Sequence, residues 1–335
     1  MSVAVGNRIG VNPLFRSRNC CVTWTLVLFF LSWIGSKPAG AQPSRPAPPR
    51  CAMWVDAVEG EPVAFRDMLD ELGHATVIYL GEVHSISRHH DSELEVFEGL
   101  AKRGTALVLA MEQFEAFNQA VLDRFNSGVL DLNGLIRETK LERRWPGYTK
   151  YLPLLRAAHS NQVPVLALNA RAETIRDIGR HGLSTLTSEE RGSLAAEIMT
   201  NDPLYRKWLN KVLSVHMAFN PNQLDAAFEA QVARDETMAE RLAKFLDSPA
   251  GQHRTAVVVC GSGHCEYGLG TPARVSRRMP GISQRIVLFS ESGDLRLSEE
   301  EKKQARTIEV SHDFLRELGR PAGDYFQVTA LEGGN

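Results

Sequence analysis

Two stretches of this sequence decide its fold: Thr76-Val-Ile-Tyr-Leu-Gly-Glu-Val-His84 and Thr255-Ala-Val-Val-Val-Cys-Gly-Ser-Gly-His264. Each is a short, almost continuous run of apolar and β-branched residues that breaks into glycine and then histidine. Such runs suit strands buried on both faces, as in a parallel sheet. Working outward, Ala106-Leu-Val-Leu-Ala110, Val163-Pro-Val-Leu-Ala-Leu168 and Arg285-Ile-Val-Leu-Phe289 read the same way. Helical stretches fall between them, at Val63–Leu72, Ser92–Lys102 and Phe114–Phe125. The alternation is that of βαβ units. It predicts an α/β fold with a mainly parallel central sheet flanked by helices, built from residues 59–186 and 248–335. Residues 187–247 are too long for one crossover and keep helical periodicity, which predicts a helical insertion beside the sheet.

Arg8, Arg16 and Arg18 precede an apolar run from Val22 to Ile34, and Ala39-Gly40-Ala41 follows before Gln42. A basic stretch, an apolar core and a small-x-small site make a secretory signal over residues 1–41. The run is shorter than the ~20 residues that a bilayer span needs. Cleavage near Ala41-Gln42 would release the chain to the periplasm or the exterior, with a proline-rich, extended leader at 42–58. Cys20 and Cys21 lack a lipobox context, so a lipoprotein is not predicted. Cys51, Cys260 and Cys265 remain, too few for a disulfide scaffold. A net charge of −2 gives no reason to expect a nucleic-acid partner.

Ligands of open α/β sheets bind beyond the carboxyl ends of the strands, and here those ends are polar. The first strand runs into Gly81-Glu82-Val83-His84, the second into Glu112-Gln113, the third into Asn169-Ala170-Arg171 and the fourth into Gly261-Ser262-Gly263-His264. Glycine permits a tight turn out of a strand, and imidazole is both a metal ligand and a proton carrier near neutral pH. His84 and His264 are therefore candidate ligands of a divalent metal ion, and Glu82 and Glu112 could complete the metal site or orient the imidazoles, either one serving as the base if the site is hydrolytic. His89 and His90 are assigned to an exposed first turn of the following helix. A Gly-x-Ser-x-Gly elbow and a full dinucleotide fingerprint are absent. The helix from Pro221 to Leu246 carries Gln231 and Asp235 within an apolar stripe. A buried carboxylate needs a partner or an open cavity; Asp235 either forms a structural pair, with Arg171 the expected partner and Arg234 the lesser choice, or faces a ligand cavity.

Tyr79-Leu-Gly-Glu-Val-His84, Met111-Glu112, Gln231–Ala239 and Gly261–Arg274 together resemble the ChaN-like haem-binding uptake proteins of the Tiki superfamily. The resemblance runs from about Val63 to Leu288. It implies an exported haem-binding protein that assists iron uptake, with haem held between two subunits and an outer-membrane uptake system as a partner. Tyr267, Tyr205 and His216 are the candidate iron ligands, tyrosine and histidine being usual haem ligands. The Tiki relatives are metal-dependent proteases with two Gly-x-x-His motifs and a glutamate. Those motifs map onto His84, His264 and Glu112, so the resemblance also implies the alternative of a metal-dependent hydrolase. In either case Asn169, Arg171, Gln231, Arg234 and Asp235 are expected to support the site.

Overall fold

The computed structural model describes residues 52–216, 221–292 and 311–330. The signal segment and residues 42–51 of the leader lie outside them. The five strands read from the sequence are present as β3 (Val77–Glu82), β4 (Leu107–Glu115), β5 (Val165–Asn169), β6 (Thr255–Gly261) and β7 (Gln284–Ser292). Three more join them: β1 (Ala52–Asp56), β2 (Glu61–Val63) and β8 (Tyr325–Ala330). The sheet order is β2-β1-β8-β7-β3-β6-β4-β5. β8, β7, β3, β6, β4 and β5 run parallel to their neighbours, while β1 pairs antiparallel with both β2 and β8.

The two-residue period of the strands divides the core into two layers. Ile78, Leu80, Leu109, Met111, Val257 and Val259 face one side, under α1 (Phe65–Leu72), α2 (Ser87–Lys102), α3 (Gln119–Asn126) and α6 (Leu152–Ser160). The short helices α4 (Leu132–Thr139) and α5 (Leu141–Arg144) lie between α3 and α6 in the chain. Val77, Tyr79, Val108, Ala110 and Val258 face the other side, against Met238, Ala239, Leu242 and Leu246 of a helix spanning Pro221–Leu246 and Val275 of one spanning Thr271–Arg278. Counting α7 (Ala172–His181), α8 (Ser188–Gly192) and α9 (Pro203–His216), those two are α10 and α11, and α12 is His312–Leu318.

Several boundaries differ from the sequence reading. Residues 52–56 of the supposed leader are a strand, because Trp54 tucks under the sheet, stacked on Phe65 at 5.4 Å and edge-on to Phe289 at 6.4 Å. The apolar period of 114–125 is split: Phe114 ends in β4, and the helix starts only at Gln119. Helix α10 is not confined to an insertion. Its C-terminal half covers the sheet, while Phe228 and Val232 in its N-terminal half pack with Tyr205, Trp208 and Leu209 of α9 and with Phe314 and Leu318 of α12.

Candidate functional site

Because β3, β6 and β4 are adjacent and parallel, their carboxyl ends deliver Glu82, Gly261 and Glu112 side by side. The register of β4 against β5 shifts between Met111 and Glu115, so Glu112 sits on an irregular stretch rather than in a regular ladder. Its Oε2 accepts the Gly261 N–H at 2.8 Å, and its backbone carbonyl accepts Asn169 Nδ2 at 2.9 Å. Glu112 is thereby fixed between two imidazoles. His264 Nε2 lies 3.4 Å from its Oε1 and His84 Nε2 4.0 Å from its Oε2. The structure thus brings His84, Glu112 and His264 together.

Each histidine is backed by a buried carboxylate. His84 Nδ1 lies 2.8 Å from Glu82 Oε1, and His264 Nδ1 lies 2.7 Å from Asp235 Oδ1. Such a bond fixes the ring and leaves Nε2 to face the site. The Gln231 amide lies 2.9 Å from the same His264 nitrogen. His84 remains 38% exposed, edge-on to Trp145 at 5.1 Å, while His264 is buried. Burial opposes the charge on His264, but Glu112 and Asp235 outweigh it and push its pKa up to about 10. Burial likewise opposes protonation of His84, and Glu82 with Glu112 raises it. Burial disfavours the Glu112 carboxylate, yet His264, His84 and Arg234 hold it well below the usual range.

The glycines of the two Gly-x-x-His motifs serve close packing rather than a left-handed turn, since neither has a positive φ. A Cβ on Gly81 would meet Cys265 Sγ at 2.8 Å and Leu288 Cδ2 at 2.5 Å. On Gly261 it would stand 3.0 Å from His84 Nε2. Gly261→Ala is therefore expected to push the imidazole off Glu82 and cost about 1–3 kcal/mol. Urea unfolding with a midpoint equal to that of the wild type would contradict this.

Asp235 does not pair with an arginine. It lies within α10 and also accepts Tyr205 Oη at 2.6 Å and Thr271 Oγ1 at 3.0 Å. Arg171 is 56% exposed, 3.6 Å from Glu173 and over the Phe117 ring, because α7 begins at Ala172 and turns it toward solvent. Arg234 lies near enough to Glu112 to lower its pKa. With Gln113, Asn169, Arg144 and Trp145 it lines a cavity of about 80 Å³ beside the site.

His90 was misplaced by the sequence reading. It is buried, as is His89, because the apolar face of α2 begins there and continues through Glu93, Val96, Phe97 and Leu100. That i, i+3, i+7 spacing was the available signal. His90 Nδ1 lies 2.9 Å from Glu82 Oε2, and Tyr151 Oη and Gln113 Nε2 donate to Glu82 Oε1 at 2.5 and 3.2 Å. Glu82 Oε1 is thus committed to its neighbours, and in this arrangement the carboxylate orients them.

Two of the candidate haem ligands, Tyr205 and Tyr267, belong to one apolar cluster around Trp208. Tyr205 is fully buried with its hydroxyl committed to Asp235, so it offers no iron ligand. Tyr267, at φ 57°, is half-buried edge-on to Trp208 at 4.9 Å. Burial, then Glu266, pushes its pKa up to about 12. His216 is the last residue of α9, and its side chain lies outside the described residues.

A family model described as haem-binding uptake, Tiki superfamily, ChaN matches residues 68–275, which include every strand end of this site. The chain belongs to the ChaN family. Its fold is similar to that in the solved structure titled "Cofacial heme binding to ChaN of Campylobacter jejuni", at 20% identity and a TM-score of 0.62, covering 83% of this chain and 96% of that one. A curated relative, the chloroplastic Protein RETICULATA-RELATED 5 of Arabidopsis thaliana, is 29% identical over 255 residues. That match takes in 70% of this chain but only 34% of the plant protein, so the ChaN-like chain spans about a third of its relative's length.

Proposed function

We propose that this chain is an exported haem-binding protein that assists haem and iron uptake, with haem held between two copies of the chain. The observation that carries the reading is the ChaN family match across the α/β core. The likeness in fold to a ChaN whose structure is described as binding haem cofacially supports the two-copy arrangement. The basic, apolar, Ala-Gly-Ala order of residues 8–41 supports export, and an outer-membrane uptake system is the partner such a role requires. No helix among the described residues is long and apolar enough to cross a membrane. With Tyr205 committed to Asp235, His216 and Tyr267 are the remaining candidate ligands. A tyrosine ligand would bind as phenolate and favour ferric iron. Titration with hemin is expected to give a saturable Soret change, together with a shift to dimer in gel filtration. A protein that leaves the hemin spectrum unchanged at micromolar concentration would remove this reading.

The convergence of His84, Glu112 and His264 favours a second reading, a metal-dependent hydrolase. The donor set fits: two imidazole Nε2 atoms and a carboxylate converge, each imidazole backed by its own carboxylate. A divalent ion bound there would supply an acidified water. Glu112 would then hold the ion or take the proton, Glu82 and Asp235 would hold the rings, and Trp145 would cover one side of His84. Peptide hydrolysis that requires Zn²⁺ and disappears in Glu112→Gln would establish it.

A further inference from the structure

We propose that Glu82 Oε2, His90 Nδ1 and the Glu93 carboxylate form a separate, buried centre for one divalent transition-metal ion, behind the His84–Glu112–His264 group. The three residues come from two elements. Glu82 closes β3, while His90 and Glu93 are three apart on α2 and so share its inward face. One donor atom from each residue lies within 4.8 Å of the others. His90 Nδ1 is 2.9 Å from Glu82 Oε2 and 3.3 Å from Glu93 Oε2. A four- to six-coordinate ion with bonds of about 2.1 Å holds its ligands about 3.0–3.5 Å apart. The spacing is that of one edge of a coordination shell.

The surroundings orient these atoms as ligands. The other ring nitrogen of His90, Nε2, lies 3.1 Å from the carbonyl oxygen of His84, which accepts its N–H and turns Nδ1 inward. Glu82 Oε1 is bound by Tyr151, Gln113 and His84, which leaves Oε2 as the free oxygen. Glu82 Oε2 and Glu93 Oε1 are fully buried and have no hydrogen-bond donor among the described residues, so the approach of His90 to Glu82 Oε2 is close but not a directed hydrogen bond. Glu93 Oε2 is the oxygen that meets His90 Nδ1, which leaves one unpaired oxygen on each carboxylate, and buried acceptors of this kind are costly without an occupant. With Glu93 bidentate, the centre offers four donors, which suits zinc; the imidazole and the burial of all three residues speak against magnesium or calcium.

The centre is distinct from the two-imidazole group. It uses one histidine, and the two share only Glu82, through opposite oxygens. The experiment loads the wild-type chain with one equivalent of Zn²⁺, passes it over a chelating resin and measures retained zinc and its X-ray absorption. One zinc per chain is expected, with a first shell of one imidazole nitrogen, oxygens otherwise and no sulfur. Glu93→Gln should weaken retention at least tenfold, whereas the double variant His84→Ala/His264→Ala should keep the ion. A shell with two imidazoles would place the zinc at His84 and His264 and overturn the proposal. So would wild-type protein that keeps no zinc, or Glu93→Gln protein that is folded by circular dichroism and keeps all of it. Should that variant fail to fold, the wild-type imidazole count decides alone. Hemin titration of the same samples reports on haem binding independently of the zinc result.

Discussion

Replacing Asp235 by alanine should cost about 3–5 kcal/mol of stability, since it removes one partner of a buried charged pair and leaves the other uncompensated. The group left behind is His264, together with the hydroxyls of Tyr205 and Thr271. Asp235→Asn keeps an oxygen for these donors and should lose less than half as much. The pH dependence gives a second test. His264 titrates at about 10 in the folded chain, against about 6.5 for a free imidazole. A raised pKa means that the folded state binds the proton more tightly, so the contribution is fully present below pH 6.5 and is lost as pH rises through 10. Wild-type stability should therefore decline across that window, and the alanine variant should decline less. Urea melts at pH 6, 8 and 10 measure both effects. A variant within 1 kcal/mol of the wild type at pH 6 would show that the pair contributes nothing.

Glu82→Ala should be as damaging, also about 3–5 kcal/mol, for a different reason. Burial disfavours this carboxylate, but His84 and His90 hold it well below the usual range. Its removal strands Tyr151 Oη and the Gln113 amide as well as both imidazoles, and buried donors without acceptors each carry a desolvation cost. Because the native state needs the charged form, acid should mimic the mutation, with stability lost as pH falls below about 4.3. Glu82→Gln keeps the shape and one acceptor oxygen and should fall between wild type and alanine. Guanidinium unfolding at pH 7 is the measurement, and an alanine variant that loses less than 1 kcal/mol would show that Glu82 is not the hub described above.

The sequence exposed the centre of the sheet because β3, β4, β5, β6 and β7 are apolar on both faces, and a doubly buried strand has nothing else to look like. β1, β2 and β8 lack that property. Met53-Trp-Val55 is short and adjoins prolines, β2 has three residues, and Tyr325-Phe-Gln-Val-Thr-Ala330 alternates like an edge although it is flanked on both sides. The Gly-x-x-His residues and Glu112 were legible because parallel strands carry their ends to one place. Asp235 was legible as a charge in need of a partner, but not the partner's identity. His264 is 29 residues away on another element, and only the packing of α10 against that face of the sheet joins them. Arg171 was the nearer choice along the sheet edge, yet the start of α7 turns it outward. His90 looked exposed because two consecutive histidines suggest a polar turn; its place in the stripe with Glu93 and Phe97 outweighed composition.

The pairing of β1 with β8 has a consequence for how the chain is made. Ala52 lies opposite Thr329 and Asp56 opposite Tyr325, so β1 leaves the ribosome long before the neighbour it pairs with. Until β8 has been made, Trp54 has no β8 to dock beside and β7 keeps an open edge. Contacts of such sequence separation close slowly, and open edges recruit other chains in the meantime. Truncation before Tyr325 would leave β1 without its β8 partner, paired with β2.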